Sequence, residues 1–178
     1  MNISVASPQQ PIAESREDVV KSLRNALRRV ASTVFIVATK SGDDFFATTA
    51  TAVTSVSFNP PTVLVCLNLS SSIGAAIEKS DAFSLNVLKA DQASQSQICA
   101  GGASHEERKA LFDLHNAAHG AAILRDAQAS LICRKTMGLQ CGTHLIVLGE
   151  VVDVLHDEEV NPLVFLDGKY GGFAASNA

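Results

Sequence analysis

Twelve consecutive residues from Phe46 to Ser57 carry six hydroxyls, on Thr48, Thr49, Thr51, Thr54, Ser55 and Ser57, with Ala and Val filling most of the gaps. Hydroxyls so crowded want hydrogen-bond partners, and the β-branched residues among them favour extended backbone. Short side chains on such a strand let a planar ligand approach the main chain while polar groups meet its heteroatoms. The same pattern also suits a Thr-rich strand with one wet face. Phe58-Asn59-Pro60-Pro61 follows at once, and an apolar run resumes from Thr62 to Leu67.

Three further segments hold candidate chemistry. Cys66-Leu-Asn-Leu-Ser-Ser-Ser72 ends in a serine triplet ahead of Ile73-Gly-Ala-Ala-Ile77. This reads as a short serine-capped helix whose first amides and hydroxyls are open to an anion. Phe83-Ser-Leu-Asn-Val-Leu88 reads as a strand, and Gly142-Thr-His144 leads into the alternating strand Leu145 to Glu150, with Gly168-Lys-Tyr-Gly171 near the end. No nucleophile triad or paired-carboxylate motif accompanies them. That absence suits a reaction whose difficult electronics belong to bound cofactors, where protein mainly positions rings. A Gly-rich dinucleotide fingerprint is missing too, because Gly101-Gly102 neither follows a strand closely nor supplies a third glycine.

Read together and in order over roughly residues 20 to 173, these segments resemble the short-chain flavin reductase family, the flavin-binding split barrels that reduce FMN or FAD with a nicotinamide. Within it the chain is most similar to the NADH:FAD/FMN reductase component of two-component aromatic monooxygenases, of the chlorophenol type. The resemblance implies a Greek-key FMN-binding split β-barrel, mainly β with peripheral helices, that forms a homodimer whose interface helps build the pocket. It implies NADH and FAD or FMN as reactants, and a flavin-dependent monooxygenase as the partner receiving reduced flavin. Thr49, Ala50, Thr51, Thr54, Ser55, Val56 and Ser57 would line the isoalloxazine edge and ribityl chain. Cys66, Leu67 and Asn68 would continue that wall, and Phe83, Asn86 and Leu88 would flank the cofactor. The flavin phosphate would lie at Ser70, Ser71 and Ser72. Leu69 departs from the pattern, since many relatives carry arginine there, which shifts the charge to Lys89 or to weaker donors. His144 would meet the nicotinamide side as the catalytic residue, with Thr143 standing where relatives often have an acid. Its alternative is a structural histidine at the barrel mouth. Tyr170 would cover a planar ring or seal the barrel end. A non-catalytic flavin-binding or flavin-storage protein of the same fold, and an interaction domain that kept the barrel, are the competing readings.

The elements that must position these residues follow from periodicity. Ser15-x-x-Asp18 starts an amphipathic helix with Val19, Leu23, Ala26, Leu27 and Val30 on one side and Arg16, Lys21, Arg24 and Arg28 on the other. Thr33 to Thr39, a turn at Ser41 to Asp44, and Phe45 to Thr48 read as a hairpin. Pro60-Pro61 interrupts the ladder because neither residue donates a backbone hydrogen bond. Helices are expected over Asp91 to Ala100 and Ser104 to Phe112, an irregular connection over 113–122, and strands over Ala129 to Arg134, Thr143 to Leu155 and Leu163 to Leu166. Strands outnumber helices without alternating with them, which favours an antiparallel barrel.

Composition bounds the reading. A chain of 178 residues with 47% hydrophobic content suits one domain, here 15–178 behind a flexible N-terminal arm over 1–14. A net charge of −4 and pI near 5.7 offer no basic field for nucleic acid. No apolar run reaches membrane-spanning length and the arm does not resemble a signal peptide, so a cytoplasmic protein with no membrane contact is expected. Cys66, Cys99, Cys133 and Cys141 stand apart without a paired spacing, predicting reduced thiols and no metal. His115 and His119 suit loop packing better than ligation, since no carboxylate stands in register with them.

Overall fold

The computed structural model describes residues 15–42, 44–114 and 121–175. The N-terminal arm and the pair His115 and His119 lie outside them. In chain order the elements are α1 (Arg16–Leu27), β1 (Ser32–Thr33), β2 (Phe35–Ser41), β3 (Asp44–Ala50), β4 (Val53–Phe58), β5 (Pro61–Asn68), α2 (Ser72–Lys79) and β6 (Ala82–Val87). They continue with α3 (Ala93–Ala100), α4 (His105–Lys109), β7 (Phe112–Asp113), β8 (Ile123–Leu124), β9 (Ala129–Cys141), β10 (His144–His156), β11 (Val164–Leu166) and β12 (Lys169–Gly171).

The main sheet is antiparallel and seven-stranded, in the order β3-β2-β6-β9-β10-β5-β4. It curls until β3 comes near β5, leaving a barrel split along one side. β2 explains why the run from Val34 to Ala38 is apolar without a break. Successive strand residues point to opposite faces, and both faces of β2 are covered. Val37 enters the barrel interior with Val63, Val65, Leu67, Phe83, Leu85 and Val147. Ile36 and Ala38 face an outer layer with Phe45, Cys99, Phe112 and Leu163. Helix α2 plugs the interior with Ile73 and Ile77. The interior is therefore filled with side chains, and a flat ligand must lie on the outside of the barrel.

Two glycines make this packing possible. A Cβ on Gly149 would stand 2.5 Å from Phe83 Cζ, and one on Gly74 would stand 2.3 Å from the Asn68 carbonyl oxygen. Neither position has room for any side chain.

Several boundaries differ from the expectations. β9 runs on to Cys141 rather than stopping at Arg134, because residues 135–141 pair along β10. Met137, Leu139 and Cys141 alternate there with Thr136, Gly138 and Gln140, a period-two pattern that carries the strand past Arg134. α4 ends at Lys109, and Phe112 starts the short β7 paired to β8 instead of closing the helix. α1 forms with Ser15 as its N-cap but buries none of its residues. The apolar stripe expected of it is present, with Leu23 and Leu27 exposed.

Candidate active site

The hydroxyl run is not one strand. β3 ends at Ala50 and β4 begins at Val53, and these are the two edge strands of the seven-stranded sheet. Thr51 and Ala52 thus carry the chain across the split, and the Cys66 amide pins the crossing by donating to the Ala52 carbonyl at 3.0 Å. Among the described residues the amides of Thr51 and Ala52 donate to no backbone group. Exposed Thr51, Thr54, Ser55 and Val56 surround these two free N–H groups. Short side chains, open hydroxyls and unused amides at one place are what a planar, carbonyl-bearing ring requires. Thr49 and Ala50 lead into the crossing half-buried.

Tyr170 comes to the same region from the far end of the chain. Its hydroxyl lies 2.8 Å from Ser96 Oγ, and the Ser96 carbonyl accepts a 2.5 Å hydrogen bond from Thr49 Oγ1. Its ring leans on Phe165 with centroids 5.3 Å apart. The hairpin β11–β12 that bears Tyr170 is held to α1 by Arg28 Nε donating to Asp167 Oδ1 at 2.7 Å. Ser96 was not singled out from sequence. Its only signal there is one hydroxyl among Ser94, Gln95 and Gln97.

Asn68 and His144 are register partners on β5 and β10. Because Leu67 and Leu145 point into the core, Asn68, Cys66 and His144 share the outward face. His144 Nδ1 is 2.9 Å from Thr143 Oγ1, and among the described residues its Nε2 has no hydrogen-bond partner. The Leu69 amide donates to the Thr143 carbonyl at 3.0 Å, locking the Asn68–Ser70 turn to the Gly142–Thr143 turn. Asn68 Oδ1 accepts from both the amide and the hydroxyl of Ser70 at 2.9 Å. Ser71 Oγ donates to the Asn68 carbonyl at 2.6 Å and accepts from the Gly74 amide at 3.1 Å as the N-cap of α2. Ser70 and Ser71 are thus largely committed to shaping the turn, while Ser72 is exposed at the first position of α2.

Other expected residues do not join this surface. Leu67 and Phe83 lie in the barrel interior and Leu88 in the outer core, so their side chains pack protein rather than ligand. Asn86 is wholly buried with its amide saturated. It donates to the Ile36 carbonyl and Ser84 Oγ, and accepts from the Leu124 amide and Ser130 Oγ. Ser57 Oγ accepts from the Asn59 amide at 3.0 Å and so shapes the β4–β5 turn. Lys89 is paired with Asp157 at 2.5 Å, which holds its ammonium above the usual lysine range. Lys89 follows the β6 end that registers with Ala129, whereas Asn68 is joined through His144 to Cys141. The length of β9 separates them, up to about 40 Å at a rise of ~3.3 Å per residue. Lys89 cannot replace the charge that Leu69 lacks. In each case the local motif was legible, but strand parity or a distant partner decided where the side chain went.

The chain is similar to known proteins along most of its length. Residues 27–174 match the family described as flavin reductase like domain. The FMN reductase (NADH) RutF of Pantoea ananatis is 33% identical over 171 residues, covering 96% of this chain and 90% of that protein. The reductase component of the FADH(2)-dependent resorcinol hydroxylase of Rhizobium sp. is 34% identical over 156 residues, covering 86% and 87%. The solved structure of the Streptomyces globisporus NADH:FAD oxidoreductase SgcE6, in complex with NAD and FAD fragments, superposes with a TM-score of 0.82. It is 25% identical over 94% of this chain and 100% of that one. The fold, the outward-facing shelf and these likenesses agree that the chain belongs to the flavin reductase-like family.

Proposed function

We propose that this protein is an NADH-dependent reductase of FAD or FMN that supplies reduced flavin to a separate flavin-dependent aromatic monooxygenase; one relative is named as the reductase component of an FADH(2)-dependent resorcinol hydroxylase. The reaction is hydride transfer from the nicotinamide to the flavin, and both rings must lie face to face for it. The observation that carries the reading is the crossing at Thr51–Ala52, where two unused amides and the hydroxyls of Thr51 and Ser55 present donors to a ring's edge, while Thr49 Oγ1 and Thr54 Oγ1 donate to the Ser96 and Ser55 carbonyls. Tyr170 supplies an aromatic face whose hydroxyl is already tied to Ser96. His144, whose Nε2 has no hydrogen-bond partner among the described residues, is the group we assign to the incoming nicotinamide. It holds the carboxamide or diphosphate rather than moving a proton.

We assign the working form to a homodimer. The outward face of β9, β10 and β5 carries Met137, Leu139, Ile146, Leu148, Leu64 and Cys66 beside His144 and Asn68, and Met137 and Leu139 are more than half exposed. A second copy covering this face would bury the apolar patch and close the pocket over Asn68 and His144. Residues 15–178 are read as one domain. Among the described residues no helix is long and apolar enough to cross a membrane. The cytoplasm is the compartment this reading assigns, because NADH is the reductant there.

The test is to strip the protein of small molecules on a desalting column and follow NADH oxidation with and without added FAD or FMN. Turnover that depends on added flavin supports the reading. Flavin that survives the column, with no NADH oxidation on adding more, identifies a flavin-storage protein instead.

A further inference from the structure

Helix α1 buries none of its residues against its own chain. Val19, Val20, Leu23, Leu27 and Val30 form one stripe, each between 40% and 58% exposed, and Arg16 and Arg24 flank it at four-residue spacing from Val20. A helix of 12 residues is marginal in water by itself, and packing of its apolar face is what ordinarily stabilises one. Something must therefore cover the stripe for as long as α1 persists. An oxygenase met only during flavin transfer would leave it bare between encounters, whereas a second copy of this chain is always at hand.

The chain itself carries the complementary surface. The β5–β10 pairing stops at Thr62 and Glu150 while β10 runs on to His156, so among the described residues no strand pairs with that edge over 151–156. Val152, Val154, Leu155 and Val160 are 37% to 80% exposed there. Residues 151–160 hold Asp153, Asp157, Glu158 and Glu159 with no lysine or arginine, whereas the chain from Arg16 to Arg29 has five cations against two acids. Asp157 is taken by Lys89, but among the described residues Asp153, Glu158 and Glu159 form no ion pair, and neither do Arg16, Lys21 and Arg24. An apolar stripe edged with unpaired cations thus matches an apolar strand end set among unpaired carboxylates. Within one chain the two do not pack together, as the exposure of both shows.

We propose that α1 of each protomer docks on the end of β10 in a second copy, across residues 152–160, an assignment that deepens the homodimer reading above and rests on it. A two-fold axis makes the contact twice, and the docking surface continues along β10 from the face already assigned to the second copy. The contact also reaches the proposed flavin site. Arg28 follows α1 and holds the Asp167 turn twice, through Nε donating to Oδ1 at 2.7 Å and through its carbonyl accepting from the Asp167 amide at 3.1 Å. That turn leads into β12, which carries Tyr170. A seated α1 therefore anchors the Tyr170 hairpin, and the flavin site is complete only in the dimer.

The test is charge reversal, read by sedimentation velocity over a concentration series of the full chain. Arg24→Glu alone, or Glu158→Lys with Glu159→Lys, should weaken the dimer about tenfold, because each sets like charges face to face. Lys21→Glu should leave it unchanged, since Lys21 stands two residues from both Val19 and Leu23 and so on the opposite side of the helix. Mixing the Arg24→Glu chain with the Glu158→Lys/Glu159→Lys chain should restore dimers, because both contacts of the mixed pair then join opposite charges. Flavin affinity, read by quenching of Tyr170 emission, should fall in each weakened variant and return on mixing. A dimer that both variants leave intact overturns the docking, as do weakened dimers that mixing fails to restore. Dimer loss with unchanged flavin affinity overturns the link to Tyr170. If Arg24→Glu fails to fold, the Glu158→Lys/Glu159→Lys chain, altered only at exposed positions beyond β10, carries the test through its own dimer affinity. Wild-type protein that is monomeric at every concentration sinks the homodimer reading itself, whereas a wild-type dimer indifferent to these reversals sinks only the docking of α1.

Discussion

Replacing Ser96 by Ala isolates the contribution of Tyr170. Ser96 is wholly buried and holds Tyr170 Oη at 2.8 Å through Oγ, while its carbonyl separately accepts from Thr49 Oγ1. The substitution severs only the first link, since the carbonyl stays. A typical hydrogen bond is worth a net ~0.5–1.5 kcal/mol. Tyr170 is only half-buried, so water can replace the lost partner and the lower half of that range applies. The cost to the fold is then under about 1 kcal/mol, a shift of roughly 2–4 °C in Tm for a domain of this size. If the hydroxyl link is what orients the ring over the flavin, the same loss appears as a two- to fivefold rise in flavin KM, following RT ≈ 0.59 kcal/mol. The assay is unusually clean because the chain has one tyrosine and no tryptophan. Protein emission therefore reports Tyr170 alone, and added flavin should quench it in the wild type and less so in the variant at equal flavin. Tyrosine emission that flavin leaves unquenched in the wild type, together with an unchanged flavin KM in the variant, would refute the placement of Tyr170 at the site.

Other outcomes follow from the same structure. Gly149→Ala should destabilise the protein by about 1–3 kcal/mol through overpacking, since its Cβ meets Phe83 Cζ at 2.5 Å. Thermal melts of Gly149→Ala with and without Phe83→Leu check this, with partial recovery expected in the double variant. Burial pushes the thiols of Cys99 and Cys133 up to about 11 and about 12 from an ordinary 9.0. Their reactive thiolates are therefore scarce at neutral pH and gain only as pH climbs towards those values. Mass spectrometry after brief alkylation at neutral pH should find exposed Cys141 modified first, and early labelling of Cys133 would contradict the packed interior. His144→Ala should raise the KM for NADH more than that for flavin with kcat comparatively intact; a change confined to flavin binding would move His144 off the nicotinamide side.

Much of this protein was legible in one dimension. The hydroxyl run, the Ser15, Ser71 and Ser104 caps and the apolar strands are local patterns, and backbone sterics and side-chain-to-amide geometry enforce them wherever they occur. The order of four such segments along the chain was enough to suggest the family. What sequence left open depended on parity and on distance. Phe83 and Asn86 sit in a motif that points to a ligand, yet both faces of β6 are covered, so Phe83 packs in the barrel interior and Asn86, on the opposite face, has every polar valence filled by protein. Residues 135–141 alternate apolar Met137, Leu139 and Cys141 with Thr136, Gly138 and Gln140, but the length of the strand is decided by its pairing along β10. The hydroxyl run reads as continuous, but the curl of the sheet places its two halves on opposite edges and frees the amides between them. Arg108 and Ser72 stand 36 positions apart in the chain, yet both line one small cavity beside Phe45, Phe46 and Ala47 of β3. The cavity they share exists because α4 and α2 pack over the same strand, and no local pattern records a neighbour that only chain folding brings near.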